Sequence, residues 1–214
     1  MKRLVPGLLL AGLLALVAAS PSPPHRAQIG EWTMATSELD TNLQSGDFSA
    51  PHHVTLSRAD GSTVDADRGT GNYKKRYFQL FGSVSVHDQS GTFGGLNSMR
   101  QNTRGPATLT CDRLTIDSAS KLYHATGDVR YKQDTTTADA NDARLNDLSH
   151  RLDLQGQVHI VQGDRTLDAK SATYNTLSDD GEASGDVKML FPGMINASIA
   201  TPRPIKIKTP KIPH

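Results

Sequence analysis

The sequence predicts an all-β protein, an open β-jellyroll or β-taco built from stacked strand-pair repeats. Apolar residues alternate with polar ones in short segments, which is typical of half-buried strands. One unit recurs along the chain, at spacings of 29 residues in its later copies. Helical periodicity is not convincing anywhere after Ala19. Together these features favour a sheet that folds over on itself by stacking.

The repeated unit opens with small or apolar residues at relative positions 0, 2, 5 and 7, followed by Asp or Asn at position 8. Its five copies are Trp32, Met34, Ser37, Leu39 and Asp40; Val64, Ala66, Gly69, Gly71 and Asn72; Leu109, Cys111, Leu114, Ile116 and Asp117; Ala138, Ala140, Ala143, Leu145 and Asn146; and Leu167, Ala169, Ala172, Tyr174 and Asn175. Asp and Asn start turns readily by hydrogen bonding to nearby backbone. The step from position 2 to position 5 is three residues, so it breaks the two-residue alternation of a strand although both positions are on the buried side. Such a break predicts a β-bulge or sheet corner.

A Gly at position 18 opens a G-x-V step in four of the five units. These steps are Gly82-Ser83-Val84, Gly127-Asp128-Val129, Gly156-Gln157-Val158 and Gly185-Asp186-Val187. The first unit departs, with Ala50 in the Gly place and His52 in the Val place. Apolar residues alternate on both sides of each Gly, so the Gly is predicted on the inward face of a strand. A missing side chain there predicts a bend or a close approach of backbone.

One insertion explains the longer spacing between the second and third units. It runs roughly from Asp88 to Pro106 and is rich in Gly and Asn. It lacks the G-K-[ST] ending of a phosphate-binding loop, and no helix is predicted after it. We expect a surface loop.

The N-terminus has the three parts of a secretory signal. Lys2 and Arg3 precede an apolar run, Leu4–Ala19, that ends in small residues. The run is shorter than the roughly 20 residues that cross a hydrocarbon core, so residues 1–19 are interpreted as a cleaved signal peptide, with a retained signal anchor as the alternative. Residues 20–30 are interpreted as a Pro-rich linker. Cys111 is the only Cys, so an intramolecular disulfide is excluded.

The charge balance gives no indication of a nucleic-acid partner. Removing Lys2 and Arg3 from the 23 basic residues leaves 21 against 22 acidic ones. Residues 192–214 form a Pro/Lys-rich C-terminal tail, which predicts an extended arm without a core. Such an arm is either a solvated tail or a contact for anionic headgroups.

No enzyme is predicted, and no cofactor or metal. The eight His are scattered without H-x-x-x-H or H-E-x-x-H spacing, and His87, His124 and His159 have outward parity. A G-x-S-x-G nucleophile elbow is absent. Asp65, Asp139 and Asp168 recur with the repeat, and we expect them to face outward or to support turns.

The repeats resemble a known family. Ala66-Asp67 through Gly82-Ser83-Val84-Ser85-Val86, with the later copies beginning at Ala138 and Asp168, resembles the OstA-like repeats of the lipopolysaccharide-transport proteins LptA and LptC. The resemblance covers roughly residues 32–190, and the predicted domain spans 31–191 with five repeats. The stretch from Trp32 to Gly61 also resembles the membrane-anchored LptC branch, so the branch stays open.

The resemblance implies a periplasmic bridge component that carries lipopolysaccharide from the inner to the outer membrane. Its partners would be the lipid and other jellyroll subunits that stack edge strand on edge strand, with a membrane contact through the N-terminal segment if that is retained. Acyl chains would lie in an apolar groove whose predicted lining is Leu80, Val84, Val86, Leu109, Ile116, Val129, Leu154, Val158, Ile160, Val187 and Met189.

Three alternatives stay open at this point. The same inward residues suit the filled core of a plain β-sandwich. A β-solenoid structural or adhesion module of the cell envelope would have such a core and no lipid cargo. A hydrolase hidden in loops would require His and acidic side chains to converge in one pocket.

Overall fold

The computed structural model describes residues 24–90, 105–175, 178, 180–191, 197–198 and 205–208, the last two segments as backbone. These residues form strands and connecting turns, and no helix occurs among them. The strands are β1 (His25–Ile29), β2 (Trp32–Thr36), β3 (Asp40–Thr41), β4 (Asp47–Ala50), β5 (Val54–Arg58), β6 (Thr63–Ala66), β7 (Arg68–Asn72), β8 (Tyr77–Asp88), β9 (Ala107–Asp117), β10 (Leu122–Gln133), β11 (Thr136–Asn146), β12 (Arg151–Gln162), β13 (Arg165–Asn175), β14 (Asp180–Ser184), β15 (Lys188–Leu190), β16 (Ala197–Ser198) and β17 (Ile205–Lys208). The predicted all-β class is confirmed.

The strands pair antiparallel, mostly with their neighbours in the chain, and the long strands contribute to two layers. Layer one runs β1, β2, β5, β6, then the halves of β8 to β13 on one side of the bend, then β15 and β16. Layer two runs β3, β4, β7, then the other halves of β8 to β13, then β14 and β17. The result is one open sheet folded along a spine, as the predicted jellyroll or β-taco requires.

The spine is a row of bulges at the G-x steps. In β8, Gly82 and Ser83 lie between paired residues where β9 has Asp112 alone. The same shift recurs at Gly127 in β10 and Gly156 in β12. Both residues of each step have positive φ, 78° and 42° at Gly127 and Asp128. Left-handed backbone is costly for residues that carry a side chain, so Gly at the first place of the step lets β8, β10 and β12 turn from layer two into layer one.

The partner strand shows the predicted change of parity. In β9, Leu109 and Cys111 are buried, Asp112 and Arg113 are exposed, and Leu114 is buried again. The extra residue that causes the shift lies in the Gly strand opposite. The predicted bulge and the predicted close approach are thus two views of one feature. The prediction that the Gly lies on the inward face is wrong, because a Cβ on Gly127 would meet the side chain of Asp112, which is exposed.

Position 8 of the unit was predicted to start a turn in all five copies and does so in four, whereas Asp40 of the first copy lies in strand β3. Oδ1 of Asn72 accepts from the Lys75 amide at 2.9 Å, and Oδ1 of Asp117 accepts from the Ala119 amide at 3.0 Å. Oδ1 of Asn146 accepts from the Ser149 amide, and Oδ1 of Asn175 accepts from the Ser178 amide, each at 3.0 Å.

The first unit and the chain ends differ from the sequence-based expectations. Ser37 is exposed, because β2 ends at Thr36 and the chain leaves for the short β3. The stretch 20–30, expected as linker, contains β1, which pairs with β2 in a hairpin. The expected tail contains β17, which pairs with β14, since an edge strand gives an extended arm hydrogen-bond partners.

Two expectations concern segments that lie wholly or mostly outside the described residues. The signal segment, residues 1–19, lies outside the described residues, as does most of the Gly-rich insertion. A search of the described part for a helix long and apolar enough to span a membrane found none.

Candidate functional site

The space between the two layers is lined by the predicted apolar set. Nine of the eleven residues belong to one cluster: Leu80, Val84, Val86, Leu109, Ile116, Val129, Leu154 and Val158, which are buried, and Ile160, which is partly buried. Val187 and Met189 belong to a second, smaller cluster with Ala169, Ala183 and Leu167. The structure therefore divides the predicted lining between two clusters along the length of the sheet.

The N-terminal half of the interior is filled by aromatic rings. Phe48 and Phe78 meet edge to face with ring centroids 5.9 Å apart, a favourable geometry for such a pair. Trp32 is 1% exposed and belongs to the same apolar cluster. Glycine makes room, because a Cβ on Gly71 would lie 2.6 Å from the Phe48 ring. Leu80, Val84, Val86 and Ile116 are at most 1% exposed and belong to this packed half.

A narrow cavity lies in the middle of the interior, between the layers. Its volume is about 40 Å³, and its walls come from strands β9 to β12 in both layers. Of the predicted lining only Leu109, Val129 and Leu154 reach it; the other walls are Leu114, Tyr123, Ala125, Tyr131, Ala138, Ala140, Ala143, Leu145 and Leu152. An apolar cavity that binds benzene measures about 150 Å³. The walls must therefore separate before an acyl chain can enter.

Sequence reasoning missed the alanines that create this cavity. Ala138, Ala140 and Ala143 occupy positions 0, 2 and 5 of the fourth unit, where the third unit has Leu109, Cys111 and Leu114. The change from larger to smaller residues at equal repeat positions was the available signal. It shows where the two layers have the least side-chain volume between them.

Among the described residues, apolar side chains are least covered at the C-terminal end of the interior. Ile160, Leu167, Tyr174 and Met189 are only partly buried there. β13 forms four residue pairs with β14 in layer two and three with β15 in layer one, against ten with β12. Apolar side chains on β12 and β13 are consequently left without full cover.

Polar side chains border the apolar interior at the rim of layer one, which is the edge of that layer farthest from the spine. Arg58 donates to Asp60 at 2.5 Å and lies over the Trp32 ring, 5.2 Å from its centroid. The hydrogen bond from Arg58 holds the pKa of the Asp60 carboxyl well below its usual range. Ser62 donates to the buried Asp88 at 3.0 Å. The guanidinium and hydroxyl thus satisfy two carboxylates next to the core.

A second polar group lies further along the same rim. Tyr131 donates from its hydroxyl to Oε1 of the buried Gln133 at 2.6 Å, and Nε2 of Gln133 donates to the carbonyl oxygen of Gly105 at 2.8 Å. Tyr131 also lines the cavity. Its ring faces the apolar space while its hydroxyl is held at the rim.

Titratable groups inside the interior are shifted toward their neutral forms. Burial raises the pKa of the Cys111 thiol to about 12. Burial also raises the pKa of Tyr123, and the nearby Glu31 carboxylate raises it further. Both shifts disfavour the anion, so the Cys111 thiol and the Tyr123 phenol are held in their neutral forms.

The outer face carries the recurring polar positions, as expected. His159 Nδ1 lies 2.6 Å from Asp168 Oδ1, and His124 Nε2 lies 2.6 Å from Asp142 Oδ2. Asp65 accepts from the Thr55 hydroxyl at 2.7 Å. These are cross-strand pairs between neighbouring strands. Within the part of the chain that the structure describes, no three His, Cys, Asp or Glu side chains are placed to hold a metal ion.

Comparison with known proteins finds similarity among solved structures. No protein-family model matches the chain, and no curated protein matches its sequence. Among solved structures, the crystal structure of LptH, the LptA homologous periplasmic component of the conserved lipopolysaccharide transport device from Pseudomonas aeruginosa, superimposes with a TM-score of 0.46 at 18% identity, covering 70% of this chain and 95% of LptH. The chain is thus similar in structure to a homologue of LptA, and its repeats resemble those of LptA and LptC.

Proposed function

We propose that this chain is a periplasmic carrier that holds the acyl chains of lipopolysaccharide, or a similar lipid, between its two layers. The observation that carries the proposal is an apolar interior that is packed at one end, contains a cavity in its middle and, among the described residues, is only partly covered at the other end. A plain sandwich core has no need of an uncovered apolar end. The resemblance of the repeats to LptA and LptC supports lipopolysaccharide as the lipid class.

The energetics explain why such a carrier needs this shape. Burying a methylene is worth about 0.8 kcal/mol, so exposing a chain of a dozen carbons to water costs on the order of 10 kcal/mol. A multi-chain lipid therefore has to pass from one apolar lining to another without crossing water. The partly buried Ile160, Leu167, Tyr174 and Met189 at the C-terminal end lie where such a transfer would take place.

Partners follow from the ends of the folded sheet. β1 pairs on one side with β2, and no strand among the described residues covers its other side. An uncovered edge offers backbone donors and acceptors to a strand of another subunit. In this proposal another jellyroll subunit stacks there by backbone pairing, while lipid transfer takes place at the C-terminal end. If the N-terminal segment is retained, it anchors the chain at the inner membrane.

A structural or adhesion module is the second candidate, and the tight N-terminal half favours it. Trp32, Phe48 and Phe78 are buried there as in a filled core, and the cavity beyond them is narrow. Such a module would take up no lipid at either end.

Photo-crosslinking in cells separates the two candidates. A photoreactive amino acid is placed at Val158 and Val187 near the partly covered end, at Leu80 in the packed half, and at Arg130 on the outer face as the control. The carrier predicts lipid adducts at Val158 and Val187, fewer at Leu80 and none at Arg130. Equal labelling at all four positions, or no lipid adduct at Val158 and Val187, would contradict it.

A further inference from the structure

The space between the two layers opens between their rims, opposite the spine, and this opening is called the mouth. The tip of the β1–β2 hairpin lies across the mouth. β1 and β2 belong to layer one, and Ile29 pairs with Trp32, so Gly30 and Glu31 form the tip. Lys121 Nζ donates to Glu31 Oε2 at 3.0 Å. Lys121 belongs to the turn between β9 and β10, on the rim of layer two. The contact joins residues 90 positions apart in the sequence.

Other contacts place the tip against the same rim. The Gly30 backbone, at a φ of +63°, is so close to this rim that a Cβ there would lie 3.5 Å from the Cβ of Ser118 and 3.6 Å from Cδ of Arg76. Ser118 in turn donates its amide to the Arg76 carbonyl at 3.0 Å, which joins two neighbouring turns of layer two. Of the ion pairs among the described residues, Glu31–Lys121 is the one that joins the rims of the two layers.

The tip also lies next to the cavity. Tyr123 follows Lys121 by two residues and is one of the cavity walls. Its phenol is influenced by the Glu31 carboxylate, so the carboxylate lies close to the ring. On the layer-one side, Trp32 continues directly from the tip into the packed core, under Arg58. The tip therefore closes the mouth directly above the place where the interior begins to widen.

We propose that the β1–β2 hairpin is a lid, closed by the Glu31–Lys121 contact, that must lift before the interior can widen to hold a guest. The role of this lid in lipid binding rests on the proposed function. Its opening is a property of the protein alone and can be measured without a lipid. The tip of the hairpin suits this role because β1 is an edge strand, so Gly30 and Glu31 can leave the rim of layer two while Trp32 stays in the packed core. The guest enters from the C-terminal end, and the lid sets how far the layers can part.

A disulfide tests the lid directly. Gly30→Cys with Ser118→Cys places two Cβ atoms about 3.5 Å apart, within the range that a disulfide needs. The matched control is Gln28→Cys with Thr33→Cys, a facing pair within the same hairpin that leaves the mouth free. The reporter is the buried thiol of Cys111, alkylated with iodoacetamide at fixed pH, because its reaction needs the interior to open.

The lid predicts that Cys111 in the oxidised cross-mouth variant reacts about tenfold more slowly than in the oxidised control, and that reduction removes the difference. Glu31→Gln should act in the opposite sense and speed the reaction about fivefold, the effect of losing one partly exposed ion pair. Its control is Glu38→Gln, which removes an ion pair with His52 away from the mouth. Equal Cys111 rates in the locked and control proteins overturn the lid.

Uptake of a dansyl-labelled long-chain fatty acid is measured on the same proteins. Slower uptake in the locked form than in the control supports the lid as a gate for lipid. If Cys111 reactivity follows the lock while no variant takes up the fatty acid, the moving lid stands and the carrier function fails. If all variants take up the fatty acid at one rate, the carrier function stands and the lid is overturned.

Discussion

Gly127 faces the side chain of Asp112 across the spine so closely that a Cβ on the glycine would lie 2.8 Å from the Cβ of Asp112. Gly82 faces Asp67 and Gly156 faces Asn141 in the same way. Asp67, Asp112 and Asn141 all stand at position 3 of their units. The repeat therefore encodes a pair, a Gly and the polar residue it faces, and this pair sets the level at which the sheet folds over.

Gly127→Ala should destabilise the fold by about 2–4 kcal/mol, because it combines a left-handed φ with an overlap against Asp112. Chemical denaturation measures the change. Gly163→Ala is the matched control: its φ is +61°, yet a Cβ there meets nothing within 4 Å, so it should cost only about 1 kcal/mol. Equal costs at the two positions would contradict a close approach at the spine.

Phe48→Ala should cost about 3–5 kcal/mol in the free energy of unfolding, because it leaves a cavity against Phe78 in the packed half. Phe81→Ala is the control, since Phe81 is only partly buried on the outer face between Arg68 and Arg113. It should cost about 1 kcal/mol. Acyl-chain uptake per folded molecule should be unchanged in Phe48→Ala, and loss of uptake there would move the binding site into the packed half.

The sequence was informative where local chemistry sets the structure. The skip at Asp112 and Arg113, the turns at Asn72 and Asp117, and the bend at each G-x step follow from parity, Asx hydrogen bonds and glycine, all of which act within a few residues. Sequence periodicity could not reveal the contact between Glu31 and Lys121, which depends on how the folded sheet brings its rims together.

The site was predicted less completely than the fold for a related reason. Parity identifies which residues face inward, and Leu80 and Val158 both do. It does not give the distance between the layers, which depends on side chains opposite each other in space. Aromatic rings fill the interior near Phe48, and alanines leave it thin near Ala140. Repeat positions that look equivalent in sequence therefore differ in what they can hold.

Acid should weaken the rim of layer one through Asp60. Its folded-state pKa lies below the unfolded value of about 3.9, chiefly because of the hydrogen bond from Arg58. A depressed carboxyl pKa contributes stability that is present above the unfolded value and is lost as pH falls toward the folded value. Asp60→Asn should therefore lower the free energy of unfolding by about 1 kcal/mol or less at pH 6, a modest effect because the carboxylate is a third exposed.

The difference between wild type and Asp60→Asn should shrink as pH falls from about 5 to about 2, since the carboxyl of the unfolded wild-type chain takes up its proton in this range while that of the folded protein is still mostly charged. Urea denaturation of both proteins across this range measures it. A difference that stays constant with pH would assign the effect to the amide itself, and a difference that grows on acidification would reverse the sign of the argument.

Ala140→Val should separate binding from folding at the cavity. Ala140 is 6% exposed and forms part of the cavity wall, so two added methyl groups enter existing space of about 40 Å³. The free energy of unfolding should change by less than about 1 kcal/mol, because the new groups fill a void. The same methyl groups narrow the place where the layers have to part, so uptake of a long-chain fatty acid should fall about tenfold.

Ala35→Val on β2 is the control for this change, because Ala35 is partly exposed between the buried Met34 and Thr36 and has no part in the cavity wall. It should leave uptake unchanged, and a β-branched residue suits a strand. Uptake is measured by fluorescence of a dansyl-labelled fatty acid, and stability by urea denaturation of the same samples. If Ala140→Val binds the fatty acid as wild type does, the chain of the guest does not pass between β11 and the opposite layer. If both variants lose uptake equally, the effect is not local to the cavity. Only a loss confined to Ala140→Val, at unchanged stability, assigns the alanine-lined section of the interior to the guest.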